Sequence, residues 1–151
     1  MEIERKFLIK DLPADLERYP RHQIEQGYLC TDPVVRIRRQ DEDYILTYKS
    51  GGMLSREEYN LPLHAAAYEH LKSKTDGIYI AKTRYLIPCD PYTIELDVFH
   101  TGAAGLILAE VEFPTVEEAE AFAAPAWFGE DVTYDGRYHN SYISRYGYQG
   151  S

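Results

Sequence analysis

The stretch Glu2-Ile3-Glu4-Arg5-Lys6-Phe7 sets Ile3 and Phe7 on one parity and Glu2, Glu4 and Lys6 on the other. Such two-residue alternation marks a strand, because successive side chains point to opposite faces. The same pattern, or enrichment in β-branched and aromatic residues, recurs at 22–29, 34–39, 43–49, 56–61, 78–87, 92–99 and 107–113. With the opening segment at 2–9, the sequence predicts eight strands, mostly joined by short connections. About eight strands is also where a closed antiparallel barrel has room for one small ligand.

Helical signals punctuate this plan. Thr115-Val116-Glu117-Glu118 is a capping box that opens a helix running to about Ala124, ahead of Pro125. Residues 64–74 read as a second helix with Tyr68 and Leu71 on one face, and 137–146 as a third, stopped by Gly147 as a left-handed cap. A short helical turn fits near 13–19, Gly51-Gly52 and Asp76-Gly77 read as turns, and Pro88 to Pro91 as a loop. The expected class is α+β: an eight-stranded closed antiparallel barrel with helices packed outside, in a single domain over residues 1–151.

Sorting the strands by parity separates charge sharply. One face carries Glu2, Glu4, Lys6, Arg36, Arg38, Lys49, Arg56, Glu58, Lys82, Arg84, Glu95, Asp97, Glu110 and Glu112. The other holds Ile3, Phe7, Ile37, Leu46, Leu96, Val111 and similar residues, with Arg5, Arg39 and Glu57 its only charges. The strand at 22–29 sorts less clearly, although Gln26 and Tyr28 can join the polar face. An antiparallel sheet with one wet face alternates in this way as a matter of course. Here, however, like charges recur two residues apart, as in Glu2/Glu4, Arg36/Arg38, Lys82/Arg84, Glu95/Asp97 and Glu110/Glu112. Such pairs lie within about 7 Å and repel unless counter-charges stand opposite. The pattern therefore predicts a barrel turned inside out, its charged face lining a tunnel and its apolar face covered from outside. Seven bases and seven acids leave that lumen near neutral. Hard cations on the carboxylates would make it positive enough for a phosphate chain.

With these segments in view, Glu2-Ile3-Glu4-Arg5-Lys6 resembles the Glu-x-Glu-x-Lys signature that opens the CYTH proteins, the triphosphate tunnel metalloenzymes. The likeness continues through Val35-Arg36-Ile37-Arg38, Leu46-Thr47-Tyr48-Lys49, Arg56-Glu57-Glu58-Tyr59 and Lys82-Thr83-Arg84-Tyr85. It extends over Glu95-Leu96-Asp97-Val98-Phe99, Ala109-Glu110-Val111-Glu112-Phe113, Val132-Thr133 and Arg137-Tyr138-His139-Asn140, nearly the whole chain. The resemblance implies an eight-stranded tunnel that binds triphosphates with Mg²⁺ or Mn²⁺. The chain departs from the family pattern at Asn60, where many relatives carry an acid, and at His139, where an aromatic is common.

Roles follow from residue chemistry. Glu2 and Glu4 are the leading metal ligands and, with Lys6, the expected catalytic set; Glu112 and Glu110 join the metal site. Glu58, Glu95 and Asp97 rank next, as ligands or as ion-pair partners of the lumen bases. Oxygen-only ligation favours Mg²⁺ or Mn²⁺ over Zn²⁺. Lys6, Arg36, Arg38, Lys49, Lys82 and Arg84 form a phosphate clamp, with Arg56 and Arg137 as weaker members. Lys6 is assigned to the reacting end of the phosphate. The five histidines show no metal-binding spacing and read as surface or loop residues, while Cys30 and Cys89 fit neither a zinc nor a disulfide framework.

Composition narrows the functions. A net charge of −9 and a pI near 5.0 argue against non-specific nucleic-acid binding but not against a small anion in a cleft. No apolar run approaches a membrane span, and the cytosol is the default compartment. The expected activity is metal-dependent hydrolysis of inorganic tripolyphosphate. The alternatives are an adenylate cyclase, a nucleoside or thiamine triphosphatase, or a non-catalytic polyphosphate- or nucleotide-binding module. A homodimer is compatible with the sequence.

Overall fold

A computed structural model describes residues 1–148. Ten strands form one antiparallel sheet: β1 (Glu2–Ile9), β2 (Arg21–Thr31), β3 (Val34–Gln40), β4 (Asp43–Lys49), β5 (Ser55–Arg56), β6 (Glu58–Leu63), β7 (Asp76–Cys89), β8 (Tyr92–Thr101), β9 (Ile107–Glu112) and β10 (Phe128–Asp131). Their order is β10-β1-β9-β8-β7-β2-β3-β4-β6, and β5 pairs with β1. The sheet thus curls until its two ends approach through β5, giving a nearly closed barrel.

The strand count exceeds the eight expected for local reasons. The segment at 56–61 divides because Glu57 turns its backbone to Ser50, accepting from its N–H at 3.0 Å and donating to its Oγ at 2.8 Å. Ser55 and Arg56 are thereby released to pair with Ile3 and Glu2. β10 is four residues long and includes Gly129, so it carries little propensity of its own. Its pairing with Phe7 and Ile9 on β1 makes it a strand. Asp76-Gly77 is not a turn: both residues open β7, where an irregular register against Gln26 and Tyr28 takes up Gly77 at φ +73°.

Three helices accompany the sheet: α1 (Ala65–Lys72), α2 (Val116–Ala121) and α3 (Asn140–Tyr146). Turns of 3-10 helix cover Leu16–Arg18 and Gly136–Tyr138. Thr115 caps α2 by accepting from the Glu118 N–H at 3.1 Å. The Glu118 carboxylate turns instead to the Thr115 and Tyr92 hydroxyls, and the helix ends at Ala121, short of the expected Ala124. Gly147 ends α3 with φ +76° but an extended ψ of −179°, so it is not a left-handed helical cap.

The core lies largely outside the barrel. Ile3, Phe7, Ile94, Leu96, Ala109, Val111 and Phe113 project outward and pack beneath Ala119 of α2 and Phe128. Removing this apolar surface from water is the main stabilising term. A second cluster joins Ile80, Phe99, Leu108 and Val132 to Ile143 of α3. Ile80, Phe99 and Leu108 share the parity of Lys82, Asp97 and Glu110, so the inward face turns apolar at this end and α3 closes over it.

Candidate active site: a charged lumen

The inward faces enclose a cavity of about 240 Å³. Glu2, Glu4, Lys6, Arg36, Arg38, Lys49, Arg56, Glu58, Arg84, Glu95, Glu110 and Glu112, all expected from the sequence, line it. Strand register sets the neighbours. Glu4 stands opposite Glu112 and Lys6 opposite Glu110 across β1 and β9, while Glu110 faces Glu95 on β8.

Three expected site residues are placed otherwise. Asp97 is fully buried behind the lining, its oxygens taken by Arg84 Nε at 2.8 Å, Arg84 Nη2 at 2.9 Å and Lys82 Nζ at 2.7 Å. It is therefore an anchor for two bases rather than an open ligand. Lys82 is equally buried and also donates to Asn140 Oδ1 at 3.1 Å. Arg137 is outside the clamp: its exposed guanidinium holds Asp135 at 2.6 Å, because the 3-10 turn directs it to solvent.

Most of the remaining lumen bases are paired. Lys49 lies 3.0 Å from Glu2 and 3.4 Å from Glu58, Arg56 is 3.4 Å from Glu2, and Lys6 is 3.7 Å from Glu110. Among the described residues Arg36 and Arg38 make no ion pair. Thr47 Oγ1 accepts from Arg36 at 3.3 Å and Gln26 Oε1 from Arg38 at 2.8 Å. The buried Arg36 Nε has no hydrogen-bond partner among the described residues. On the acidic side, Glu4 and Glu112 likewise have no cation within ion-pair distance among the described residues.

This polarity appears in the titration of the groups. Burial, with Glu110 and Glu2 nearby, pushes the Glu4 carboxyl up to about 8. Against its own burial, Glu110 is held well below the carboxylate range by Lys6, Arg84 and Lys82, so the proton of this pair sits on Glu4. Burial and the neighbouring Glu2, Glu95 and Glu58 also raise Glu112. Burial, Arg36 and Arg84 lower Arg38 to about 9. Burial pushes Lys82 down to about 7, although Asp97 opposes the shift.

The acidic end suits a hard divalent cation by donor chemistry: its donors are all carboxylate oxygens, and Glu4 is kept protonated by burial and by its neighbours Glu110 and Glu2. Among the described residues, no three acid, histidine or cysteine side chains converge on one point, so a cation would have to draw the carboxylates together.

The cavity is also lined by Tyr28, which sequence reading left unsorted, by Asn60, noted there only as a departure from the family pattern, and by Val34, Gln40, Ile45, His139, Asn140 and Ser141, which it did not assign to the lumen. Tyr28 and Gln26 were legible from the parity of β2. His139 lies in the bend between the 3-10 turn and α3, as a loop residue, but not at the surface: it is buried, and burial with Lys6 and Arg56 lowers it to about 4. Strand alternation cannot mark it or Asn140, whose signal in the sequence is the family likeness at Arg137-Tyr138-His139-Asn140, because both enter the lumen when α3 folds over the barrel end.

A family model described as CYTH domain matches residues 1–145. The chain is 43% identical over 149 residues to an inorganic triphosphatase of Nitrosomonas europaea, covering 95% of this chain and 96% of that one. It is 34% identical over 154 residues to an inorganic triphosphatase of Acetivibrio thermocellus, covering 98% and 96%. Among solved structures, that of an inorganic triphosphatase aligns with TM-score 0.71 and 38% identity over 95% of this chain and 94% of that one. A protein of Pyrococcus horikoshii aligns with TM-score 0.61 at 22% identity over 80% of this chain and 84% of that one, a likeness of fold alone.

Proposed function

We propose that this chain, which belongs to the CYTH domain family, is a divalent-metal-dependent hydrolase that cleaves inorganic tripolyphosphate to pyrophosphate and phosphate. The observation that carries this reading is the polarity of the lumen. Among the described residues, Arg36 and Arg38 make no ion pair with a carboxylate at one place, and Glu4 and Glu112 make none with a base at another. A phosphate chain bound with a cation supplies both missing charges at once. The names of the relatives at 43% and 34% identity support the substrate assignment.

Phosphoryl transfer asks a protein mainly for positioning and charge relief. Arg36, which makes no ion pair among the described residues, can offer its guanidinium to phosphate oxygens, and Arg38 is held beside it. Lys6 is fixed through its backbone: its N–H donates to Thr133 Oγ1 at 3.0 Å, and its carbonyl accepts from Val132 at 2.8 Å. That leaves its ammonium between Glu110 and the cavity, suited to orient the reacting phosphoryl group. Glu2, Glu4, Glu110 and Glu112 would hold Mg²⁺ or Mn²⁺, which when bound supplies Lewis acidity toward phosphate oxygen and water.

The test is a phosphate-release panel with Mg²⁺ and Mn²⁺ in turn, measuring cyclic AMP alongside. The expected order of catalytic efficiency is tripolyphosphate, then ATP, then pyrophosphate, which is too short to span the basic row. An ATP efficiency well above that for tripolyphosphate, or cyclic AMP as main product, would overturn the substrate assignment.

A further inference from the structure

Of the seven bases that face inward, five have a carboxylate partner: Lys6, Lys49, Arg56, Lys82 and Arg84. Arg36 and Arg38, which make no such pair among the described residues, are consecutive inward positions on β3, and both are buried. A buried guanidinium with no carboxylate in direct contact is costly unless a ligand supplies one, and here Asp97 and Glu58 act on Arg38 and Arg36 only from beyond ion-pair distance. What stands next to them is therefore informative. Both are met by neutral acceptors.

Gln26 is the more constrained of these partners. It is fully buried on β2, directly opposite Arg38 in the strand register. Its Oε1 accepts from Arg38 Nε at 2.8 Å, and its Nε2 donates to Asn140 Oδ1 at 3.0 Å. The same Asn140 oxygen accepts from Lys82 Nζ at 3.1 Å. Ammonium donates only, so the lysine demands an acceptor from Asn140, and Asn140 in turn demands a donor from Gln26. The amide is thus locked with its oxygen toward Arg38. A glutamate has nearly the same shape, yet it would put an oxygen against Asn140 Oδ1 and a full negative charge on Arg38.

We propose that Gln26 is a specificity-determining positioning residue, whose neutral amide orients Arg38 without neutralising it and so reserves the Arg36–Arg38 pair for a phosphoryl group that docks there without a divalent cation. The proposal rests on the triphosphate reading above and deepens it. It divides substrate recognition into a metal-independent anchor on β3 and a cation-dependent part at Glu4 and Glu112. Asn140 extends the same relay to α3, tying the segment that closes the lumen to the orientation of Arg38.

The experiment is calorimetric titration of the whole chain with tripolyphosphate in EDTA, with KM for phosphate release as the reading of binding in Mg²⁺, for the parent, Gln26→Glu and Gln26→Met. The parent is expected to bind in EDTA. Gln26→Glu should weaken that binding by about tenfold or more, because an internal carboxylate replaces the ligand on Arg38. Gln26→Met keeps the volume and the neutrality while losing the hydrogen bonds, so it should bind several-fold weaker than the parent and clearly better than Gln26→Glu. Gln26→Met also carries the test against the parent if Gln26→Glu does not fold. Equal binding by parent and Gln26→Glu, a methionine variant as weak as the glutamate one, or a methionine variant indistinguishable from the parent would overturn the inference while leaving the triphosphatase reading intact. A parent that binds only with Mg²⁺ would overturn the metal-independent anchor. A parent that binds under neither condition would take down both readings.

Discussion

Glu4 on β1 and Glu112 on β9 stand directly opposite one another across an antiparallel pair. Like charges in that relation repel. The fold maintains the contact with the Glu4 carboxyl pushed up to about 8 by burial, Glu110 and Glu2. Ionising Glu4 in the metal-free protein therefore works against its burial and against Glu110 and Glu2.

Metal-free stability should reveal it. Between the unfolded carboxyl value of about 4.3 and the folded value of about 8, the folded chain keeps a proton that the unfolded chain releases. Stability relative to Glu4→Gln therefore falls as pH rises through that window and levels off above it. Thermal melts of both proteins in EDTA from pH 5 to about pH 9 should show the parent losing ground on the order of a few kcal/mol. Parallel curves would mean Glu4 titrates normally.

Catalysis should respond in the opposite sense. Glu4→Gln removes a carboxylate from the end of the lumen proposed to hold the cation, so turnover with Mg²⁺ or Mn²⁺ is expected to drop by orders of magnitude while the barrel stays folded. Near-parental activity would remove Glu4 from the metal site.

The clamp separates residues that look alike in sequence. Arg38→Ala should weaken tripolyphosphate binding by about 1.5–3 kcal/mol, the worth of a hydrogen bond to a charged group. Arg137→Ala should change binding little, since that side chain is exposed and pairs with Asp135. Equal losses in the two variants would contradict the placement of Arg137 outside the lumen.

Asp97→Asn should act on the fold. Both carboxylate oxygens are engaged by buried bases, and removing one partner of such a network typically costs about 3–5 kcal/mol. A lowered urea midpoint at unchanged slope is the expected result. A midpoint matching the parent would show that Lys82 and Arg84 find other partners or shed charge.

How far the sequence reaches is visible in single residues. Alternation alone sorts Glu4, Lys6, Arg38 and Glu110 onto one face, because the two-residue period of a strand is a local property. Fourteen charges on that face identify it as a lumen even before the barrel is built. Local pattern could not reveal which charges are free. Arg38 and Arg84 read the same in sequence, yet Arg84 is held by Asp97 and Arg38 by a neutral glutamine. That difference is set by strand register and by the shear that brings Glu2 to Lys49, 47 residues away along the chain. The division of 55–63 into two strands, the four-residue β10 and the entry of His139 and Asn140 into the lumen depend on the same long-range pairing. The sequence by itself determined an antiparallel barrel with a charged interior and the residue types that line it. Only the tertiary structure decided which of those charges neutralise one another and which are left for a ligand, because ion pairing depends on distances across strands that no local pattern encodes.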